Sequence, residues 1–310
     1  IDMTYKNHYK IKNNFQSYLY DGNNDVAYSP PVEEKSLEDE DKVNYHFDTY
    51  IELLKSYDNP DKEILFAITH DIGTDSEFES IVGIDTTFID ELGSDTEIDF
   101  NYKLPLDDKS KLEIGYDGRF TKSDETMDLG LTSVDDSGYK IWDFDAVNDF
   151  SYNRSIHGFF AEYQYQLNAK FTIKPSLRIE FVDKEINFNY TFKDSTGAPS
   201  STYVEYLTAA TFSPISKSEF NYFPDLHFTY NITDKKNIQF GLSKRIERPS
   251  GAGHHWGQLR PFPRSVYNDS FVFIGNPFLR PEFSTQYEIS YKSPMPMGFG
   301  YINLYMSDVK

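Results

Sequence analysis

The sequence predicts an all-β fold: a transmembrane antiparallel β-barrel with about twelve strands in this chain, short periplasmic turns and long extracellular loops. Three observations predict it. Apolar and polar residues alternate with period two along most of the chain, no stretch shows a comparable helical period, and the connections alternate between short and long.

Composition agrees with strands. The 310 residues carry a net charge of -20, no cysteine, and only 38% hydrophobic but 17% aromatic residues. That apolar fraction lies below the roughly 45–50% of ordinary globular chains, while Phe and Tyr favour strands. A disordered chain fits the charge but not the aromatics. The lack of Cys excludes disulfides, thiolate metal sites and thiol catalysis. The acidic balance argues against nucleic acid as a partner. No stretch approaches the roughly 18 unbroken apolar residues of a membrane helix.

The strands follow in order. Val43, Tyr45, Phe47, Ile51 and Leu53 alternate with Asn44, His46, Asp48 and Glu52, and Tyr57–Lys62 is a turn. Ile98, Phe100, Tyr102 and Leu104 alternate with Glu97, Asp99, Asn101 and Lys103. After the turn Pro105–Ser110, Leu112, Ile114 and Tyr116 alternate with Glu113, Gly115 and Asp117. Beyond Asn168–Lys170, the row Phe171 to Phe181 alternates with Thr172, Lys174, Ser176, Arg178 and Glu180. Phe220, Tyr222, Leu226, Phe228, Tyr230 and Ile232 share one parity, with Asp225 and His227 on the other. The turn Thr233–Asn237 leads to Ile238, Phe240 and Leu242. Tyr287, Ile289 and Tyr291 form the next row, before the turn Ser293–Met297. Between these hairpins, Ser29–Lys42, Lys122–Phe150, Asn189–Ser218 and Pro249–Ser284 read as long loops.

One-sided loop length and strands near the ~9–11 residues that cross a bilayer favour a membrane barrel. A soluble β-sandwich or a repeat array shares the alternation without needing either feature. In a membrane barrel Phe100, Ile114 and Phe228 face lipid, and the polar row, with Asp99, Glu113, Asp117, Arg178, Glu180, His227 and Arg245, lines the lumen. Pro175 and Pro224 each remove a ladder hydrogen bond, so local distortion is expected at both.

The later motifs resemble a known family. "LSKRIERPS" (Leu242–Ser250), "WGQLRPF" (Trp256–Phe262) and "GNPFLRPEFSTQYEISY" (Gly275–Tyr291) are similar to a run in TonB-dependent receptors and receptor-like outer-membrane β-barrel proteins of the Bacteroidetes. "FNYFPDLHFTYNI" (Phe220–Ile232), "LRIEF" (Leu177–Phe181) and "FNYKLPLDDKSKLEIGY" (Phe100–Tyr116) resemble strands of the same family, and Arg260 stands where that family usually has Asn. The resemblance implies a 22-stranded barrel around a plug, energised by the TonB complex and importing a bulky nutrient such as a metal chelate, glycan or peptide. Residues 1–310 then form part of the barrel domain, with no plug or leader domain visible in the chain. The expected location is the cell outer membrane, and the expected partners are its lipid, the TonB complex and a surface lipoprotein or other envelope protein. The alternative is a structural or accessory barrel in a larger envelope complex.

The candidate substrate-binding residues are His254, His255, Trp256 and Arg260 in the loop Pro249–Ser284, whose prolines and aromatics (Trp256, Phe262, Tyr267, Phe278) suggest an ordered cover for the barrel mouth. Trp256 also reads as a structural loop aromatic. The acidic run Glu33 to Asp41 reads as a solvated loop rather than a calcium site. Carboxylate pairs such as Glu97 with Asp99 and Asp143 with Asp145 recur as a lumen lining would require. No catalytic motif appears, so no enzyme activity, resident metal or cofactor is expected, and Gly83 and Gly93 read as loop glycines.

Overall fold

The computed structural model describes residues 2–18, 32–81, 85–134, 140–196, 214–249, 258–260, 275–296 and 298–310. They form one antiparallel sheet of eleven strands, each beside its neighbour in sequence. The strands are β1 (Asp2–Tyr18), β2 (Val32–Ser56), β3 (Glu63–Ile81), β4 (Asp85–Asp107), β5 (Ser110–Val134), β6 (Lys140–Gln166), β7 (Phe171–Thr196), β8 (Ile215–Thr233), β9 (Lys236–Glu247), β10 (Glu282–Met295) and β11 (Gly298–Val309). Eleven strands stand where the sequence pattern suggested about twelve. The five short turns fall between β2 and β3, β4 and β5, β6 and β7, β8 and β9, and β10 and β11, all at one end of the sheet.

Two of the four expected long loops, Ser29–Lys42 and Lys122–Phe150, are largely strand among the described residues, and strand enters both ends of Asn189–Ser218. β2 begins at Val32, β5 and β6 run to Val134 and from Lys140, and β7 continues to Thr196. The reason is visible in the outward row. It is apolar from Ile64 to Ile72 in β3 apart from His70, and from Leu112 to Phe120 in β5, Phe171 to Phe181 in β7 and Phe220 to Tyr230 in β8, about 9–11 residues each and enough to cross a bilayer. Beyond it the same row turns polar, as Lys122, Asp124 and Thr126 in β5 or Asp183, Glu185 and Asn187 in β7, while the backbone goes on pairing. The hydrophobic alternation stops where the lipid stops, and the ladder does not. A strand of 25 residues such as β5 is about 80 Å long, of which a tilted bilayer crossing uses roughly half. The sheet therefore rises well beyond the membrane on the side away from the turns.

The acidic run belongs to this rise. It lies in β2, and the register sets Glu38 opposite Lys12 and Glu40 opposite Lys10. Gly93 is likewise a strand residue, between Gly73 and Ser123 on the polar face, and Gly83 lies outside the described residues.

Both prolines disturb the ladder. The β6–β7 pairing skips from Glu162↔Ser176 to Tyr165↔Ile173 beside Pro175. At Pro224 the β8–β9 ladder stops, its last pair being Asp225↔Ser243. Beyond that point, among the described residues, Ile215–Phe223 pair with β7 and Lys244–Glu247 with β10. Side chains close the seam. Lys244 lies 4.2 Å from the Tyr222 ring on the apolar face, and Arg248 reaches Glu180 on the other.

The two faces differ in kind. The outward face exposes Phe100 (37%), Ile114 (40%), Phe181 (47%) and Phe220 (58%). An apolar band this extensive is not left to water in a soluble monomer. Rings mark its two edges, with Phe171 stacked on Tyr230 at 4.6 Å near the turns and Phe181 against Phe220 at 5.1 Å at the other edge.

Candidate functional site

Cross-strand partners share a face, so the register settles where each expected residue lies. Asp99 pairs with Asp117, Glu113 with Lys103, Glu180 with Gly158 and Asn221, and Arg245 with Ser284, all on the polar face. Arg178 lies on the same face, and Phe100, Ile114 and Phe228 lie on the opposite one. In a barrel whose apolar face meets lipid, the polar face is the inner wall.

Six charges of alternating sign run across this wall. Glu97 lies 3.8 Å from Arg119, Arg119 3.1 Å from Asp117, Asp117 3.5 Å from Arg178 and Arg178 2.8 Å from Glu180, which also binds Arg248. Burial deepens along the chain. The Glu97 side chain is half exposed, whereas that of Glu180 is 6% exposed. Asp117, Arg178 and Glu180 were legible as polar-row residues. Arg119 belongs to the same row and was passed over, and Arg248, just after β9, carries no periodic signal at all. Arg245 is exposed, and among the described residues it makes no ion pair with Glu247.

Gly158 makes this network possible. A Cβ there would stand 2.2 Å from an Arg178 guanidinium nitrogen, and that guanidinium is held on both sides by carboxylates. Gly158→Ala should therefore destabilise the barrel by roughly 1–3 kcal/mol, as overpacking does. Denaturant titration of the barrel refolded into lipid will measure it.

Farther from the turns the inner wall turns basic. Arg154, Lys184 and Lys217 are successive partners on β6, β7 and β8. Burial lowers the Lys184 pKa and Glu219 opposes this, while Lys217 and Arg154 push it down further. The described residues Gln258–Arg260, between β9 and β10, pack close by. Leu259 is buried against Phe150, Tyr152 and Ile186, and Arg260 is buried and paired with Glu125. Two backbone bonds, Gly275 N–H to Arg260 O at 2.7 Å and Asn276 N–H to Gln258 O at 2.7 Å, tie the two arms of the loop together. Arg260 is thus engaged with the wall. Phe278 is 62% exposed. His254, His255, Trp256, Phe262 and Tyr267 lie outside the described residues.

A third group was missed. His46 Nε2 stands 3.0 Å from Asp48 Oδ1 and 2.8 Å from Asp71 Oδ2, on the inner wall at β2 and β3. His46 and Asp48 were visible in one polar row, and Asp71 joins them through the register across the hairpin.

The comparisons with known proteins fit this geometry. The profile of the outer membrane protein β-barrel family matches residues 53–310. Among solved structures, the alcaligin outer-membrane receptor FauA of Bordetella pertussis is similar at a TM-score of 0.50 and 11% identity, over 99% of this chain and 41% of the receptor. The ferric yersiniabactin uptake receptor FyuA of Yersinia pestis gives a TM-score of 0.54 at 10% identity, over 99% and 42%. The ferric citrate transporter FecA gives 0.52 at 12%, over 89% and 35%. The chain thus spans less than half the length of each. At such identities the likeness concerns the fold. No curated protein matches the sequence.

Proposed function

The chain belongs to the outer membrane protein β-barrel family, and from that premise we propose that it forms the barrel wall of a receptor-type transporter that takes a bulky nutrient across the outer membrane. The observation that carries this reading is the contrast between the two faces. One presents an apolar band about 9–11 residues tall, and the other a charged, ion-paired wall that continues well beyond the bilayer. A strand ladder that rises so far forms a vestibule, and the loop carrying Leu259 and Arg260 packs on its inner side. The similar structures are an alcaligin receptor, a ferric yersiniabactin uptake receptor and a ferric citrate transporter, and the two ferric cargoes favour a metal chelate over a glycan or peptide as the cargo class. Import would draw on the TonB complex acting through a plug, with a surface lipoprotein or another envelope protein as outer partner. Among the described residues the charged groups of the wall pair with one another, which suits binding and passage.

Location and transport are tested separately. Full-length protein should sediment with the outer membrane and need detergent for release, and protein left in the supernatant would count against the barrel. Uptake of ferric siderophores by cells carrying the protein should stop when TonB is deleted. Within the loop, His254→Ala with His255→Ala should weaken uptake and leave barrel assembly intact, whereas Trp256→Ala should disorder the loop. Uptake that is indifferent to TonB and to the two histidines would favour a structural role in an envelope assembly.

A further inference from the structure

We propose that His46, Asp48 and Asp71 bind a divalent ion of the zinc class on the inner wall of the barrel. One ligand atom from each of the three lies within 4.8 Å of the others. Ligands held ~2.1 Å from one tetrahedral metal stand roughly 3.4 Å apart, so the trio needs only small shifts to close on an ion. His46 and Asp48 are two residues apart on β2 and project from one face. Asp71 is the direct partner of Asp48 on β3, and Gly73 is the partner of His46. With glycine there, the imidazole approaches the neighbouring strand closely, its Nδ1 3.1 Å from where a Cβ would be. Its Nε2 is then directed at both carboxylates.

The setting calls for a cation. Along the register Asp48 lies opposite Asp71 and Asp71 opposite Asp95 of β4, so three aspartates occupy successive strands. Like charges directly opposite one another are destabilising in a sheet. The next partners along this line are Thr121 and then Arg154, so the basic residues begin two strands beyond Asp95. A divalent ion held by the trio offsets the repulsion and ties β2 to β3. An imidazole with two carboxylates suits zinc, cobalt, nickel or copper, while calcium and magnesium favour oxygen ligands throughout. Three protein ligands leave a fourth position open to water or to a donor group of a passing solute.

The same wall supplies a control. His227 Nε2 stands 3.1 Å from Asp225 Oδ1 on β8, again with glycine, Gly241, opposite the imidazole. There the partner of Asp225 is Ser243, not an acid. The two sites share a His–Asp pair with a glycine partner and differ in the third ligand.

The test reads ion binding alone, so it stands apart from any transport activity. Full-length protein purified from outer membranes in detergent is stripped with a chelator, then titrated calorimetrically with Zn²⁺ and by visible absorption with Co²⁺. Loss of even an outer-shell partner typically costs 10–100-fold in metal affinity. His46→Gln and Asp71→Asn should therefore each weaken Zn²⁺ binding roughly tenfold or more. His227→Gln should leave it unchanged, and the Co²⁺ bands should vanish in His46→Gln. Heat-modifiable gel migration confirms folding of each variant, and Asp48→Asn serves where another fails to fold. Wild-type protein that binds no Zn²⁺, affinity unchanged in folded His46→Gln or Asp48→Asn, or Ca²⁺ bound as tightly as Zn²⁺ would each overturn the site.

Discussion

Placing Arg at Phe100 or Ile114 should destabilise the barrel by about 2–4 kcal/mol, while Arg at Asp99 or Glu113 on the neighbouring positions should cost less than about 1 kcal/mol. The pairs are matched in depth. Phe100 lies opposite Tyr116 and Ile114 opposite Tyr102, near the middle of the outward apolar row, and Asp99 and Glu113 are their chain neighbours on the other face. On the outer face a guanidinium meets hydrocarbon, which offers no hydrogen-bond partner. On the inner face it meets carboxylates. Asp99 pairs with Asp117, and Glu113 accepts a 2.5 Å hydrogen bond from Asn101. Arg at position 99 also adds a positive charge beside Glu97 and Asp117, which tempers any loss. Denaturant titration of full-length barrel refolded into phospholipid vesicles will give the four values. Equal penalties in the two sets would show that the two faces do not meet lipid and lumen as assigned, and larger penalties at Asp99 and Glu113 would show that the faces are reversed.

The contrast between the faces was legible because period-two alternation needs no tertiary information. The turns Tyr57–Lys62, Pro105–Ser110 and Thr233–Asn237 carried their own Pro, Asp and Asn chemistry, and the hairpins fall where that chemistry put them. Above the membrane the legibility ends. There the outward row of β5 to β7 is polar and the inner row mixes Phe150, Tyr152 and Ile186 with polar residues, so Lys122 to Phe150 reads like a loop although its described backbone is paired. The His46–Asp48–Asp71 group sits between these cases. Stepping back eight residues from Ser56 and forward eight from its partner Glu63 brings Asp48 to Asp71, so the hairpin's register already held the site. The contact of Arg248 with Glu180 bridges 68 residues across the seam at Pro224, and no local pattern records it.

That contact carries the second large effect. Glu180→Ala should cost about 3–5 kcal/mol, the loss expected when one member of a buried charge group is removed and its partners remain. Glu180 joins Arg178 and Arg248, whose side chains are only 26% and 18% exposed, so its removal leaves two guanidiniums close together in a poorly hydrated part of the wall. Asp117 would still engage Arg178 at 3.5 Å, but Arg248 would lose its hold across the gap where the β8–β9 ladder is missing. Glu97→Ala is the comparison. Its contact with Arg119 is 3.8 Å long and half exposed, and its loss should cost less than about 1 kcal/mol. Salt separates the two further, since screening weakens an exposed pair and acts much less on a buried one. Unfolding at low and at 0.5–1 M salt, on the order used to collapse the Debye length to a few ångströms, should leave the Glu180→Ala deficit nearly intact and erase that of Glu97→Ala. Equal, salt-sensitive losses would mean that the wall at Glu180 is wet, and that the seam at Pro224 is held by the outer contact of Lys244 with Tyr222 rather than by the inner one.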